Sequence, residues 1–234
     1  MMDPKSCIVP IFAVDEAGNI VHFLGTGSFV DRDHLLLTAD HVVRDWPGPI
    51  AIIVEPDLST LFRANLVYRD QPHDLALLIV PAYKAPRPIP VAADSPYHLN
   101  QFFLAFEYGT TRVAGRNIQL APATRIGNIT RQLNVQDMLG PAGDGALELS
   151  FPALRGASGA PIISNDNRFA LYGVIVSNVS YHLLPVQIES VIDERDGTRE
   201  ELRYMLPQAL AVNSRHVAAA ISAAAALPGS PLAG

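Results

Sequence analysis

The chain carries a single cysteine, Cys7, in 234 residues. One thiol closes no intrachain disulfide, so the fold must hold without covalent staples, and a reducing compartment, the cytoplasm, is the expected setting. Charge is scarce too: Asp, Glu, Lys and Arg make up 17% of the residues, the net charge is −6, and there is no basic cluster. Nucleic acid finds no electrostatic footprint on such a chain and is not an expected partner. Long apolar runs are missing. None approaches the roughly 18 residues that a membrane-spanning helix needs, so no membrane partner is expected. The opening Met1-Met2-Asp3-Pro4-Lys5 lacks the basic lead-in and small-residue cleavage site of a secretory signal, and Ile8 to Val14 reads as a first strand.

What the chain does have is apolar residues, 49% of the total, enough for one large domain or two small packed ones. They come in short runs separated by turn signals, the cadence of an all-β protein. Ile8–Val14 and Ile20–Val30 flank Asp15-Glu16-Ala17-Gly18-Asn19, a hairpin turn. Leu35–Leu37, Ile50–Val54, Leu61–Tyr68 and Leu75–Val80 complete a first sheet. Five prolines between 81 and 96 exclude a central strand there and mark the connection between two halves. The second half resumes with Phe102–Phe106, Arg112–Gln119, Thr124–Asn128, Leu147–Phe151, Pro161–Ile163 and Leu171–Val176, then a charged surface hairpin, Val186–Ile192 and Leu202–Met205, around Asp196-Gly197. The one helix is terminal, capped by Asn213 or Ser214 and stopped by Pro228. The expected division is therefore 1–95, 96–212 and a C-terminal helix with tail, 213–234.

Three segments carry chemistry: Leu36-Leu37-Thr38-Ala39-Asp40-His41, His73-Asp74-Leu75-Ala76-Leu77-Leu78 and Gly156-Ala157-Ser158-Gly159-Ala160-Pro161. A serine hydroxyl is a weak nucleophile until a base within hydrogen-bond reach takes its proton. Imidazole suits that task, with a reference pKa of roughly 6.5. A carboxylate then fixes the imidazole tautomer. His41, Asp74 and Ser158 supply these three roles, and the small residues around Ser158 let the N–H groups of Gly156 and Ser158 point at one spot, an oxyanion hole. His73 is a rival base but alternates to the other face of the strand that Asp74 opens. Ala160 stands where the nucleophile elbow of α/β-hydrolases needs glycine, so that fold is set aside. Gly25-Thr26-Gly27 lacks the third glycine of a dinucleotide site and reads as close backbone packing near the active site. The histidines at 22, 34, 98, 182 and 216 have no metal-ligand spacing, Cys7 reads as an inert core thiol, and no cofactor or metal is expected.

Taken together, Gly25–Val30, Leu36–Val43, His73–Leu78 and Gly156–Pro161 resemble the trypsin/chymotrypsin superfamily of serine peptidases, in particular its disulfide-free bacterial branch. The resemblance spans about residues 8–225. It implies two packed six-stranded Greek-key β-barrels with a C-terminal α-helix, and endopeptidase chemistry through an acyl-enzyme. Carried over, His41 is the base, Asp74 the orienter and Ser158 the nucleophile, with Gly156 and Ser158 as oxyanion donors. The resemblance also makes Ser177 the serine near the buried aspartate. It puts Ser177-Asn178 on the strand that pairs with substrate, and Pro152 at the start of the primary pocket. Leu149-Ser150-Phe151-Pro152-Ala153 has no acid, which disfavours Arg or Lys at the cleavage position and favours an apolar or small residue.

Two positions depart from the family pattern. Ala157 replaces the aspartate that docks a cleaved N-terminus, and no Ile-Val-Gly-Gly start exists, which together imply an enzyme without zymogen cleavage. Asp40 replaces alanine beside the base, where it either competes for the imidazole or points away to bond a neighbouring turn. Three readings stand at this point: a serine endopeptidase acting on a protein or peptide, a silent or gated peptide-binding module on the same fold, and an esterase-type acyl hydrolase. An unsecreted peptidase with no pro-segment also calls for restraint: a narrow substrate, a regulatory protein partner, or a poorly formed resting oxyanion hole.

Overall fold

The computed structural model describes residues 4–93, 98–115, 117–133, 145–166, 168–182, 188–192, 199–203 and 205–233. The first half contains β1 (Ile8–Val14), β2 (Ile20–Phe29), β3 (Leu35–Ala39), a short helix α1 (Asp40–Arg44), β4 (Ile50–Val54), β5 (Asp57–Asp70) and β6 (Leu75–Ile79). Its six strands close into a barrel in the order β1-β2-β3-β6-β5-β4. All seven residues of β1 are buried, as its unbroken apolar run requires. The β1–β2 turn forms as its sequence predicts: Gly18 takes φ +85°, and Asn19 N–H donates to Asp15 Oδ1 at 2.7 Å.

The second half contains β7 (Phe102–Glu107), β8 (Arg112–Ala114), β9 (Asn117–Gln119), β10 (Ala123–Leu133), β11 (Ala146–Leu149), β12 (Pro161–Ser164), β13 (Leu171–His182), β14 (Ile188–Ile192), β15 (Arg199–Arg203), β16 (Met205–Asn213) and the helix α2 (Ser214–Ala225). A second closed barrel runs β10-β11-β16-β13-β12-β7, while β8–β9 and β14–β15 are separate two-stranded ribbons. The architecture is thus two closed six-stranded antiparallel barrels with a helix near the C-terminus, as the sequence resemblance implies.

Besides the short helix α1, which the sequence reading did not expect, two elements differ from that reading. Arg112–Gln119 is not one strand but a hairpin, because Gly115 at φ +59° reverses the chain. The strand β16 has no counterpart among the predicted runs: Pro207 and the small Ala209 and Ala211 hide its character, yet both alanines are fully buried where it pairs with β11 and β13. The charged hairpin exists as β14–β15, with its turn at Asp196-Gly197 outside the described residues. The expected boundary at 95/96 also lies outside them.

The proline-rich connection stitches the halves together. Ile89 bridges to Val30 of the first half, and Val91 bridges to Leu171 of the second. Helix α2 adds a strap. Asn213 caps it by accepting from Arg215 N–H at 3.0 Å, and its buried face of Val217, Ala220 and Ala224 packs against β5 and β6 as well as β13 and β16. One core cluster therefore runs from the first barrel through the interface into α2, and a second fills the interior of the second barrel around Phe103, Ile162 and Tyr172. Cys7 is fully buried in the first cluster.

Candidate active site

The crevice between the barrels is built from opposite sides. From the first barrel, β3 runs into α1, so His41 sits in the first turn of a short helix. Asp74 follows a 3-10 turn, Gln71–His73, and adopts φ +53°, a left-handed conformation that aspartate tolerates better than most residues. His73 belongs to that turn and not to the strand. It bonds Asp70 Oδ2 through Nδ1 at 2.7 Å and stacks on His216 with ring centroids 4.1 Å apart, so it does not compete for Asp74.

Three hydrogen bonds lock the two segments. Asp40 N–H donates to the Asp74 carbonyl at 2.9 Å, His41 N–H donates to Asp74 Oδ1 at 2.9 Å, and His41 Nδ1 meets Asp74 Oδ2 at 2.6 Å. A carboxylate only accepts, so the ring proton resides on Nδ1 and Nε2 presents its lone pair. Neither side chain is sealed off; they are 31% and 24% exposed.

Asp40 resolves the question its sequence position raises. Its carboxylate is fully buried and turned to β5, where Arg69 Nε donates to Oδ1 at 2.6 Å and Arg69 Nη2 to Oδ2 at 3.1 Å. Arg44 Nη1 lies 3.7 Å from Oδ2. The Asp40 hydrogen bond raises the pKa of the Arg69 guanidinium above the ordinary arginine value. The partner is a strand arginine and not a neighbouring turn, and the carboxylate makes no bond to the imidazole.

From the second barrel comes the loop that carries Ser158. Gly156 has φ +91° and Gly159 φ +83°, and a Cβ at Gly159 would collide with Thr26 O and Thr38 Oγ1. Within the loop, Ala157 N–H donates to Leu154 O and Ala160 N–H to Ala157 O, both at 2.9 Å, and Gly159 N–H donates to Ile175 O at 2.8 Å. The N–H groups of Gly156 and Ser158 have no acceptor among the described residues. They are two uncommitted donors beside a hydroxyl.

Thr26 anchors this loop to the first barrel, a role that sequence reasoning missed. Its N–H donates to Ser158 O at 3.0 Å, its Oγ1 donates to Gly156 O at 3.0 Å, and its carbonyl accepts from Thr38 Oγ1 at 2.8 Å. A Cβ on Gly25 would meet both Ser158 O and the side chain of Val42, the neighbour of His41. The sequence signal was there, a hydrogen-bonding residue between two glycines inside a β-run. Arg69 was also missed, since nothing local pairs it with Asp40, 29 positions away.

The remaining predicted residues fall around this loop. Ser177 lies on β13, and its Oγ is buried with no hydrogen-bond partner. It shares a small cavity of about 160 Å³ with Asp74, but no hydrogen bond joins the two. Asn178 grips Ala153 twice, accepting from its N–H through Oδ1 at 2.8 Å and donating to its carbonyl through Nδ2 at 2.9 Å. Pro152 is half-buried in the adjoining segment. No group of three or more metal-ligating side chains occurs among the described residues, and no helix is long and apolar enough to cross a membrane.

A double barrel with a histidine–aspartate pair on one wall of its crevice and a glycine-flanked serine loop on the other defines the chymotrypsin-like class. The chain belongs to the trypsin-like peptidase domain family, whose model matches residues 25–174. Among solved structures it is similar to the serine endoprotease from Yersinia pestis, at 16% identity and a TM-score of 0.61 over 94% of this chain. It covers 63% of that protein's length. The MamO protease domain from Magnetospirillum magneticum is similar over 92% of this chain and 96% of its own (17% identity, TM-score 0.58). Rv3671c from M. tuberculosis, in an inactive serine-to-alanine form, is similar over 96% and 90% (19% identity, TM-score 0.57). At these identities the likeness is one of fold. No curated protein matches the chain.

Proposed function

We propose that the protein is a serine endopeptidase that works through an acyl-enzyme. The observation that carries this reading is the His41–Asp74 contact at 2.6 Å on one barrel, together with a Ser158 loop on the other in which the N–H groups of Gly156 and of Ser158 itself are uncommitted. Ser158 Oγ attacks the peptide carbonyl carbon while its proton passes to His41 Nε2. The carbonyl oxygen, now negative, is held by the Gly156 and Ser158 N–H groups, and losing one such donor costs on the order of 3–4 kcal/mol of barrier. His41 then gives the proton to the departing amine as the C–N bond breaks. Water repeats the sequence on the ester and frees Ser158. Asp74 holds the tautomer and stabilises the imidazolium.

No hydrogen bond joins His41 to Ser158 in this structure, and such bonds commonly close only around a substrate. On the acyl side, the charge-free Pro152 segment, cross-tied by Asn178, favours a small or apolar residue at the cleavage position. The reading extends to restraint through a narrow substrate or a regulatory protein partner.

Fluorophosphonate labelling of the purified protein tests the proposal. Labelling that disappears in Ser158→Ala is the expected result. Folded protein that fails to label would instead make the chain a peptide-binding module, and labelling with turnover of esters but no peptide would make it an acyl hydrolase of esterase type.

A further inference from the structure

A cleft of about 780 Å³ is lined by both His41 and Gly156. It extends from them along α1 and the residues after it, including Trp46, and across to Arg112 at the start of β8 and Arg155 beside the oxyanion donors. None of the β13 residues from Ser177 onward lines it, nor does the Pro152 segment. This fixes which half of a substrate it receives. The leaving amine takes its proton from His41, so the chain that departs lies on the histidine side, away from the β13 edge.

Its chemistry is specific. Phe23, Val42 and Trp46 give it an apolar floor. Two arginines, Arg112 and Arg155, both exposed, also line it. Neither makes an ion pair or a side-chain hydrogen bond among the described residues. The one carboxylate lining the cleft, Asp45, has Arg44 Nε 3.5 Å away. A concave surface with two uncommitted cations and no uncompensated acid attracts a carboxylate, and arginine holds carboxylates by paired, charge-assisted bonds.

We propose that the protein selects substrates on the leaving-group side, through a carboxylate within the first three residues after the scissile bond that binds Arg112 and Arg155. At about 3.3 Å per residue in extended chain, those three residues reach about 10 Å beyond the scissile bond. The inference rests on the peptidase reading for the direction of the chain. The carboxylate comes from an Asp or Glu side chain or from a substrate's own C-terminus.

Peptides of about ten residues, identical but for Glu, Gln or Lys at the second position after the cleavage site, separate these sources when each is made with a free and an amidated C-terminus. Fluorescence anisotropy on Ser158→Ala measures binding, and hydrolysis by the wild type measures turnover. The expected result is about tenfold tighter binding and faster kcat/KM for Glu over Gln, with Lys weakest, the gap closing in Arg112→Gln/Arg155→Gln and at high salt. A preference that follows the free C-terminus alone supports the site with a terminal carboxylate as its ligand. Turnover that is equal for Glu, Gln and Lys, with free and amidated ends alike, overturns the inference and leaves the peptidase reading standing. A Glu preference in binding with no turnover and no fluorophosphonate labelling keeps the site and removes the peptidase.

Discussion

The two walls of the crevice differ in how fully their polar groups are satisfied. On the first-barrel wall, Asp40, His41 and Asp74 spend their backbone and carboxylate groups on one another and on Arg69, leaving the ring Nε2 outward. On the second-barrel wall, the amides of Gly156 and Ser158 and the hydroxyl of Ser177 are uncommitted. On the proposed peptidase reading, the base is held in place before any substrate arrives, and the amides meant for a substrate's charge, those of Gly156 and Ser158, are left to it. This division is what differential binding requires, since donors already paired in the resting protein have nothing left for a transition state.

The largest expected effect comes from breaking the satisfied wall at its centre. Asp74→Asn keeps the shape but disturbs the tautomer, and kcat, or the rate of fluorophosphonate labelling, falls on the order of 10⁴-fold. Next comes the ion pair behind it. Arg69→Met leaves the buried Asp40 carboxylate with only the 3.7 Å contact to Arg44 and costs about 3 kcal/mol of stability in urea unfolding. Asp40→Leu combined with Arg69→Met costs less than Arg69→Met alone, because no buried charge is left unpaired. If the double variant were instead the worse, the Arg44 contact would be enough to hold the carboxylate without Arg69.

On the open wall, Gly159→Ala forces a Cβ against Thr26 and Thr38 and loses about 2–3 kcal/mol by the same measurement. Ser177→Ala removes a buried hydroxyl that bonds nothing and shifts stability by less than about 1 kcal/mol, in contrast to any change on the first wall. The smallest effect lies away from both walls. The hydroxyls of Ser59 and Thr60, Ser59 foremost, hold the exposed Asp57 carboxyl down at about 2. Its contribution is present above the ordinary carboxylate range and fades as pH falls through 2, and Ser59→Ala moves that fade to higher pH, which NMR titration of Asp57 would follow.

Much of this arrangement was legible in the residues. Continuous apolar runs gave away β1, β3 and β6 because buried strands need no polar alternation, and Asp15 to Asn19 announced a turn by its chemistry. The family resemblance singled out His41 and Asp74, which proved to be in contact, and Ser158, which proved to lie across the crevice. Long-range pairings were not legible. Asp40 with Arg69 and Thr26 with the Ser158 loop join residues 29 and more than 100 positions apart, and no local pattern encodes such a meeting. Strand β16 escaped notice because alanine and proline carry little strand signal, and only the need to close a barrel places them. The helical setting of His41 was hidden by the brevity of α1, five residues that no periodicity can reveal.

Thr26 has a consequence for how the protein is made. It lies on β2, early in synthesis, while the two carbonyls that it holds, those of Gly156 and Ser158, emerge more than 100 residues later. A ribosome-bound chain that has folded only its first barrel owns an aligned histidine and aspartate and nothing for them to act on. The serine loop gains its anchor only when the second half arrives, so on the proposed reading reactivity belongs to the finished molecule, and a truncated or stalled product is chemically mute.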